Sequence, residues 1–405
     1  MPTLTRRNFL GGAAACGGAI ALSPRLAFAA PGTGTHTLVV VSLRGGMDGL
    51  SAVVPVEAGY FDRRPTIAVP EAQLLDLDGR FGLHPVLAPL HERWNEGTMA
   101  VVHGAGTPTG SRSHFEETDL MEHGVGRLGA DETSGWLGRH LSTRPGDAST
   151  GLSGTAISST LPRSLAGFPA AVAVGNIGAF AVRGVPWRDR DRVHRALGEL
   201  AGSGSDLVAG QAEATLGTID LLRDTAPGDI PTANGAVYPD HHWGRQLRQV
   251  AQLIRADLGL EVATVDFGGW DTHGDMGTWD AGLMRTRLGD MGSAIAAFLT
   301  DVDDLDGRVT VVVVSEFGRR VAENDSRGLD HGRGGLQMLF GDRIAGGVHG
   351  DWLGLDDEVL DRGDVPTITD YRATLAEITT EVLGNPAIDT VFPGYSPTSL
   401  GVTAS

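Results

Sequence analysis

The chain has 405 residues, with 50 Asp and Glu against 32 basic residues and a formal charge of −18. Every basic residue is arginine, which excludes a Schiff-base or P-loop lysine, and the acidic balance argues against a nucleic-acid partner, whose phosphates need a basic face. Hydrophobic content of 41% with 20% charged residues suits a globular protein, and 59 glycines without a Gly-X-Y period set collagen-like and disordered classes aside.

Residues 1–29 hold no acidic residue. Thr5-Arg6-Arg7-Asn8-Phe9-Leu10 precedes the mostly apolar run Gly11–Leu22, and Ala27-Phe28-Ala29 offers a small-x-small cleavage site before Ala30. Twin arginines followed by Phe-Leu, with Arg25 just ahead of the cleavage site, predict a twin-arginine export signal. The apolar run is too short to span a bilayer. Its removal takes away three arginines, moving the formal charge from −18 to −21, and the single cysteine, Cys16. The exported protein then has no disulfide, thiolate ligand or cysteine nucleophile. The expected partner for export is the twin-arginine translocation machinery, the destination is the periplasm or the exterior, and no stable membrane span is expected.

Thr37–Leu43 (TLVVVSL) reads as a buried strand ending in the turn Arg44–Gly49, which carries Asp48. Thr98–Val102 (TMAVV) is a second strand. Ser113 and Glu116 have capping-box spacing, so a helix is predicted to start at Ser113. Trp243, Leu247, Val250, Ile254 and Leu258 mark an amphipathic helix stopped by Gly259. Glu261–Phe267 (EVATVDF) is the next strand, Leu288, Met291, Ile295, Phe298 and Val302 mark another helix, and Val309–Val314 (VTVVVV) is the most apolar strand. Continuous apolar strands alternating with helices predict an α/β domain over residues 30–405, with a mostly parallel central sheet covered by helices on both faces. Residues 140–240 are less regular and read as a cap or an inserted helical lobe.

In such a sheet, ligands bind in the loops beyond the carboxyl ends of the strands. Asp48 follows the first strand; Ser111, Ser113 and His114 follow the second. Asp271 and His273 lie in Gly268-Gly269-Trp270-Asp271-Thr272-His273, Glu316 follows the valine-rich strand, and Asp330-His331-Gly332 comes soon after. Each has a plain alternative. Asp48 before Gly49 suits a turn, and Ser113 suits a helix cap. Glu316 at the end of a run of valines is harder to dismiss, because a carboxylate there must be paired, hydrogen-bonded or metal-bound. His84, His91, His103, His123 and His140 are scattered and read as structural. Four loops supplying oxygen and imidazole groups point to one or two divalent metal ions, zinc, manganese or calcium. Asp48, Asp271, His273, Glu316, Asp330 and His331 are the candidate ligands.

Together, Val39-Val40-Val41-Ser42-Leu43-Arg44-Gly45-Gly46-Met47-Asp48-Gly49-Leu50, Arg112-Ser113-His114-Phe115-Glu116, Gly269-Trp270-Asp271-Thr272-His273, Ser315-Glu316-Phe317-Gly318-Arg319, Asp330-His331-Gly332 and Asp370-Tyr371-Arg372-Ala373 resemble the exported bacterial family known as domain of unknown function 1501. The resemblance runs from about residue 36 to 395. It implies an alkaline phosphatase-like or sulfatase-like fold and metal-dependent hydrolysis of phosphate or sulfate esters by a Ser or Thr nucleophile at a helix start. On that pattern Asp48 matches the first metal aspartate, and Ser113 or Ser111 stands at the nucleophile. Three places depart from it: Glu316 stands where an Asp-His pair is usual, Asp271-x-His273 replaces a wider Asp-to-His spacing, and Arg333, Leu336 and Gln337 stand where a tryptophan and further histidines often follow Asp-His-Gly.

The expected function is therefore an exported metal-dependent hydrolase acting on a small-molecule or polymer ester. Ser113 is the preferred nucleophile, Ser111 its stand-in, and Arg112 or Arg319 would offset the transition-state charge. A second metal or His331 would stabilise the leaving group, with His114 also at the catalytic centre. Two other readings stay open: a metal hydrolase using water rather than serine, and a non-catalytic exported binding protein that keeps the fold.

Overall fold

Alternate side chains of β1 (Thr37–Arg44) enter two different cores. Val39, Val41 and Leu43 pack with Leu247, Val250, Leu288 and Ile295, whereas Leu38 and Val40 pack with Trp136, Leu137, Tyr371 and Leu375. A strand buried on both faces has no polar side to show, which is why the sequence reads as an unbroken apolar run. The computed structural model describes residues 36–129, 132–145, 152–182, 184–202 and 207–404. The export signal expected at residues 1–29 lies outside them.

Eight further strands join β1: β2 (Met99–Gly106), β3 (Gly154–Ala156), β4 (Val172–Ala173), β5 (Val262–Gly268), β6 (Val309–Ser315), β7 (Gly335–Phe340), β8 (Gly347–His349) and β9 (Thr369–Asp370). Their order is β8-β2-β7-β6-β1-β5-β3-β4, with β9 also on β2. All pairings are parallel except those of β7, which runs antiparallel to both β2 and β6. The sheet is thus mixed and mostly parallel, in the expected class. A separate three-stranded antiparallel sheet is built from residues 53–55, 75–76 and 81–83.

Six of the helices are α1 (His114–His123), α2 (Arg190–Gly202), α3 (Leu207–Thr225), α4 (His242–Arg255), α5 (Leu283–Asp301) and α6 (Tyr371–Glu377). Of these, α4, α5 and α6 carry apolar residues into the cores on either side of the sheet. α4 and α5 cover one face through Leu247, Val250, Met291 and Phe298. α6 covers the other with the helix Trp136–Thr143. α4 ends at Arg255, short of Gly259, because Asp257 already turns the backbone left-handed at φ 50°. β2 runs on to Gly106 instead of stopping at Val102, so His103 lies inside the strand, buried between Phe81 and Trp352. Within 140–240 the helical pair α2–α3 is accompanied by β3 and β4, two short strands that extend the main sheet.

Candidate metal centre

Strand direction brings the predicted loops to one edge. β1, β2, β5 and β6 are mutually parallel or related through β7, so their carboxyl ends lie together. They deliver Gly45, Ser111–His114, Asp271–His273 and Glu316 to that edge. Because β7 runs the other way, its amino end lies there too and brings Asp330-His331. Close approach of the loops demands glycine at two places. Gly45 has φ 119°, and a Cβ there would lie 2.7 Å from the Asp271 amide nitrogen. A Cβ on Gly332 would lie 2.5 Å from the Arg319 carbonyl carbon.

Three imidazoles and one carboxylate converge. His331 Nε2 lies 3.0 Å from His114 Nε2, 2.9 Å from His273 Nε2 and 3.1 Å from Asp271 Oδ1. Asp271 Oδ1 is also 3.1 Å from His273 Nε2 and 3.5 Å from His114 Nε2. The ligand atoms of His114, Asp271 and His331 lie mutually within 4.8 Å, and His273 adjoins two of them.

The opposite nitrogen of every ring is held by an acceptor. His114 Nδ1 donates to Glu316 Oε1 at 2.7 Å, His273 Nδ1 to Asp330 Oδ1 at 3.0 Å, and His331 Nδ1 to the Arg112 carbonyl at 2.8 Å. These acceptors place the proton on Nδ1 in each ring, so all three Nε2 lone pairs face one another and a carboxylate oxygen. Such an arrangement is relieved by a cation among the four atoms, or by a proton on one Nε2 shared with the Asp271 carboxylate. Separations of about 3 Å also suit a first-row metal, since ligands at roughly 2.0–2.1 Å in a tetrahedron stand about 3.3 Å apart. Three imidazoles favour zinc or another transition metal over calcium, which takes oxygen ligands.

The surroundings favour positive charge here. His114 is raised above its ordinary range, first by its hydrogen bond to Glu316. Burial pushes the Glu316 carboxyl up, but His114 and the amides of the Gly45–Gly46 turn hold it below its usual value; Gly45 N donates to it at 2.8 Å. Burial likewise pushes Asp271 up, and the Arg319 guanidinium and His331 bring it well below the carboxylate range. The His273 hydrogen bond lowers Asp330.

Arg319 is 1% exposed and its donors are committed. Its Nη2 donates to Asp271 Oδ1 at 2.7 Å, and its other bonds go to the carbonyls of Gly45, Gly46, Trp270 and Leu329. It orients a carboxylate and ties three loops together.

Of the predicted residues, the structure brings Asp271, His273, His331 and His114 to one point, with Glu316 and Asp330 directly behind two of the imidazoles. Asp48 is placed elsewhere. It is buried, and its two oxygens accept from Arg64 at 2.6 and 2.9 Å. Ser113 stands at the N-cap of α1, exposed and without a side-chain capping bond. Ser111 Oγ donates to Glu116 at 2.7 Å. Three contributors take parts that the sequence did not suggest. The Arg112 carbonyl takes His331, Asn324 donates to both Asp330 and the His273 carbonyl, and Phe317 packs under His114 and His331.

Residues 228–380 match the model of the family described as "Protein of unknown function (DUF1501)", the family that the motifs resemble. That span holds Asp271, His273, Glu316, Arg319, Asp330 and His331. No curated protein matches the chain. Among solved structures, the chain is similar to a phosphonate monoester hydrolase of Agrobacterium radiobacter, with 9% identity, a TM-score of 0.31, and coverage of 90% of this chain and 78% of that one.

Proposed function

We propose that the protein is an exported metal-dependent hydrolase of phosphate or sulfate esters, with one divalent cation held by His114, Asp271, His273 and His331. The convergence of three imidazole Nε2 atoms on one aspartate oxygen, each ring fixed from behind, carries this reading. When bound, such a cation supplies Lewis-acid polarisation of an ester oxygen and eases deprotonation of a nearby hydroxyl.

The chain's own residues do the rest. Glu316, Asp330 and the Arg112 carbonyl hold the imidazoles in one tautomer. Arg319 fixes the Asp271 carboxylate. Ser113 directly precedes His114 at the start of the ten-residue α1, and this adjacency supports a place for its hydroxyl and the helix's first amides at the rim of the centre. Those amides have no acceptor within the helix and suit the oxygens of a tetrahedral anion. Ser113 is the proposed nucleophile.

A second reading, attack by water, is favoured by one observation: among the described residues the Ser113 hydroxyl has no hydrogen-bonded base. Ser113→Ala separates the two. Loss of turnover by several orders of magnitude with metal retained supports the serine. Wild-type turnover in that variant assigns attack to water, and a metal-loaded wild type that cleaves no phosphate or sulfate ester overturns the hydrolase reading.

Export rests on Arg6-Arg7 and Arg25 ahead of Ala30. No helix among the described residues is long and apolar enough to cross a membrane. Replacing Arg6 and Arg7 by lysine should hold the precursor in the cytoplasm; normal export of that variant refutes the route.

A further inference from the structure

We propose that Asp364 is a positioning residue of the metal centre. Through Arg112 it sets the carbonyl that holds the His331 ring, and through Arg320 it holds the 319–331 segment in place. The inference rests on the metal reading of the cluster and adds to it a residue that lies outside the motifs marking the site.

Asp364 sits on a short strap that crosses both segments. The Val321 N–H donates to the Gly363 carbonyl at 3.2 Å and the Gly334 N–H to the Val365 carbonyl at 2.9 Å, and Arg320 bridges Asp364 in antiparallel register. The carboxylate is fully buried, and its Oδ2 accepts from Arg112 Nε at 2.9 Å and also from Arg112 Nη2. Its Oδ1 is buried and has no hydrogen bond among the described residues. Arg320 Nε stands 3.9 Å from that oxygen, an ion pair beyond hydrogen-bond reach. Two guanidiniums from two segments thus meet one carboxylate.

Each guanidinium belongs to a residue whose backbone serves the centre. The Arg112 carbonyl accepts from His331 Nδ1 at 2.8 Å, and Arg112 stands two residues ahead of the ligand His114. The Arg320 N–H donates to the Asp330 carbonyl at 3.0 Å, while its neighbour Arg319 bridges His331 and donates to Asp271 Oδ1 at 2.7 Å. In an extended segment successive side chains point to opposite sides. Arg319 accordingly turns to the ligands, and Arg320 turns away from them to Asp364. Asp364 therefore joins the segment that carries His114 to the segment that carries His331.

The separation most exposed to a slip between those segments is the 3.0 Å from His114 Nε2 to His331 Nε2. A buried acid–arginine contact adds little net stability over an apolar pair of the same shape, because desolvation offsets the attraction. What it supplies here is direction. A fork donating through both Nε and Nη2 fixes the Arg112 side chain against the strap, and a charge-assisted contact of this kind is strong enough to hold it there.

Three measurements on the full chain test the role: zinc affinity by competition with a chromophoric chelator, the visible absorption of the cobalt(II)-loaded protein, and melting of the metal-free protein. Asp364→Asn and Arg112→Gln should each weaken zinc binding on the order of 10–100-fold, the scale for an outer partner of a metal ligand, and each should change the cobalt spectrum. The double variant should lose no more than the weaker-binding single variant, because both changes break the same link. Asp48→Asn also unpairs a buried arginine, Arg64, and is the control for general destabilisation; it should keep wild-type zinc affinity. A wild type that binds zinc, with both single variants binding it equally well, overturns the inference and leaves the metal reading standing. An equal loss in Asp48→Asn overturns it too, since destabilisation alone would then explain the effect. If Asp364→Asn does not fold, Arg112→Gln decides the matter. A wild type that binds neither zinc nor cobalt counts against both readings.

Discussion

Arg64 is completely buried, and besides its two bonds to Asp48 it donates to the Val321 and Arg320 carbonyls at 2.7 and 3.1 Å. Burial pushes the Asp48 carboxyl up, but the Arg64 guanidinium holds it below the usual range. Asp48→Asn would leave that guanidinium without a counter-charge, which costs about 3–5 kcal/mol. Denaturant unfolding should register that loss, while the folded fraction keeps its metal. An Asn variant as stable as the wild type but stripped of metal would make Asp48 a ligand instead. At this scale the motifs made the cluster legible in part. Asp271, His273 and His331 stand out because acids and imidazoles in Gly-rich loops have few structural uses. His114 was placed at the catalytic centre but not among the ligands, since only the fold sets its distance from His331. Gly45 and Gly332 appeared as motif letters, and their reason, backbone passing within 3 Å of a would-be Cβ, is tertiary.

The end of α6 acts as a clamp. Glu377 accepts the amides of Leu400 at 2.7 Å and of Gly401 and Thr403 at 3.1 Å, and the hydroxyls of Ser399 and Thr403 at 3.1 Å. Burial pushes this carboxyl up, and these bonds bring it net below its ordinary value. A carboxyl depressed in the folded state contributes stability above its unfolded value, about 4.3, and loses that contribution as pH falls through the folded value. The protection of amides 399–403, their exchange rate relative to the free peptide at the same pH, should therefore fall below about pH 4, and Glu377→Gln should show the lower protection already at neutral pH. Equal protection in both proteins at both pH values would refute the clamp. Among the elements, β1, β5 and β6 were legible because burial of both faces forces apolar runs. The orientation of β7 was not, because Gly335–Phe340 is buried along its whole length and reads the same in either direction. Its reversal follows from the 316–334 connection, which contains no crossover helix to carry the chain back for a parallel return. β3 and β4, three and two residues long, are too short to display a period.

At the scale of the whole molecule, one edge of the sheet gathers His114, Asp271, His273 and His331 from three connections far apart in sequence, those after β2, β5 and β6. A metal bound only by the folded chain adds about 2.7 kcal/mol at a hundredfold excess over Kd, so the proposed cation would also tie the β2, β5 and β6 loops into one unit. The chemistry of the cluster, and not the acidic charge of the chain as a whole, sets the preference for a transition metal. The most direct measurement is the metal content per chain, by elemental analysis, of the wild type, His331→Ala and Ser113→Ala, each expressed with zinc and manganese supplied. The predicted result is one transition-metal ion per wild-type chain, retained in Ser113→Ala and lost in a folded His331→Ala. A wild type without stoichiometric metal, or a His331→Ala variant that keeps the full complement, would contradict the assignment of the centre.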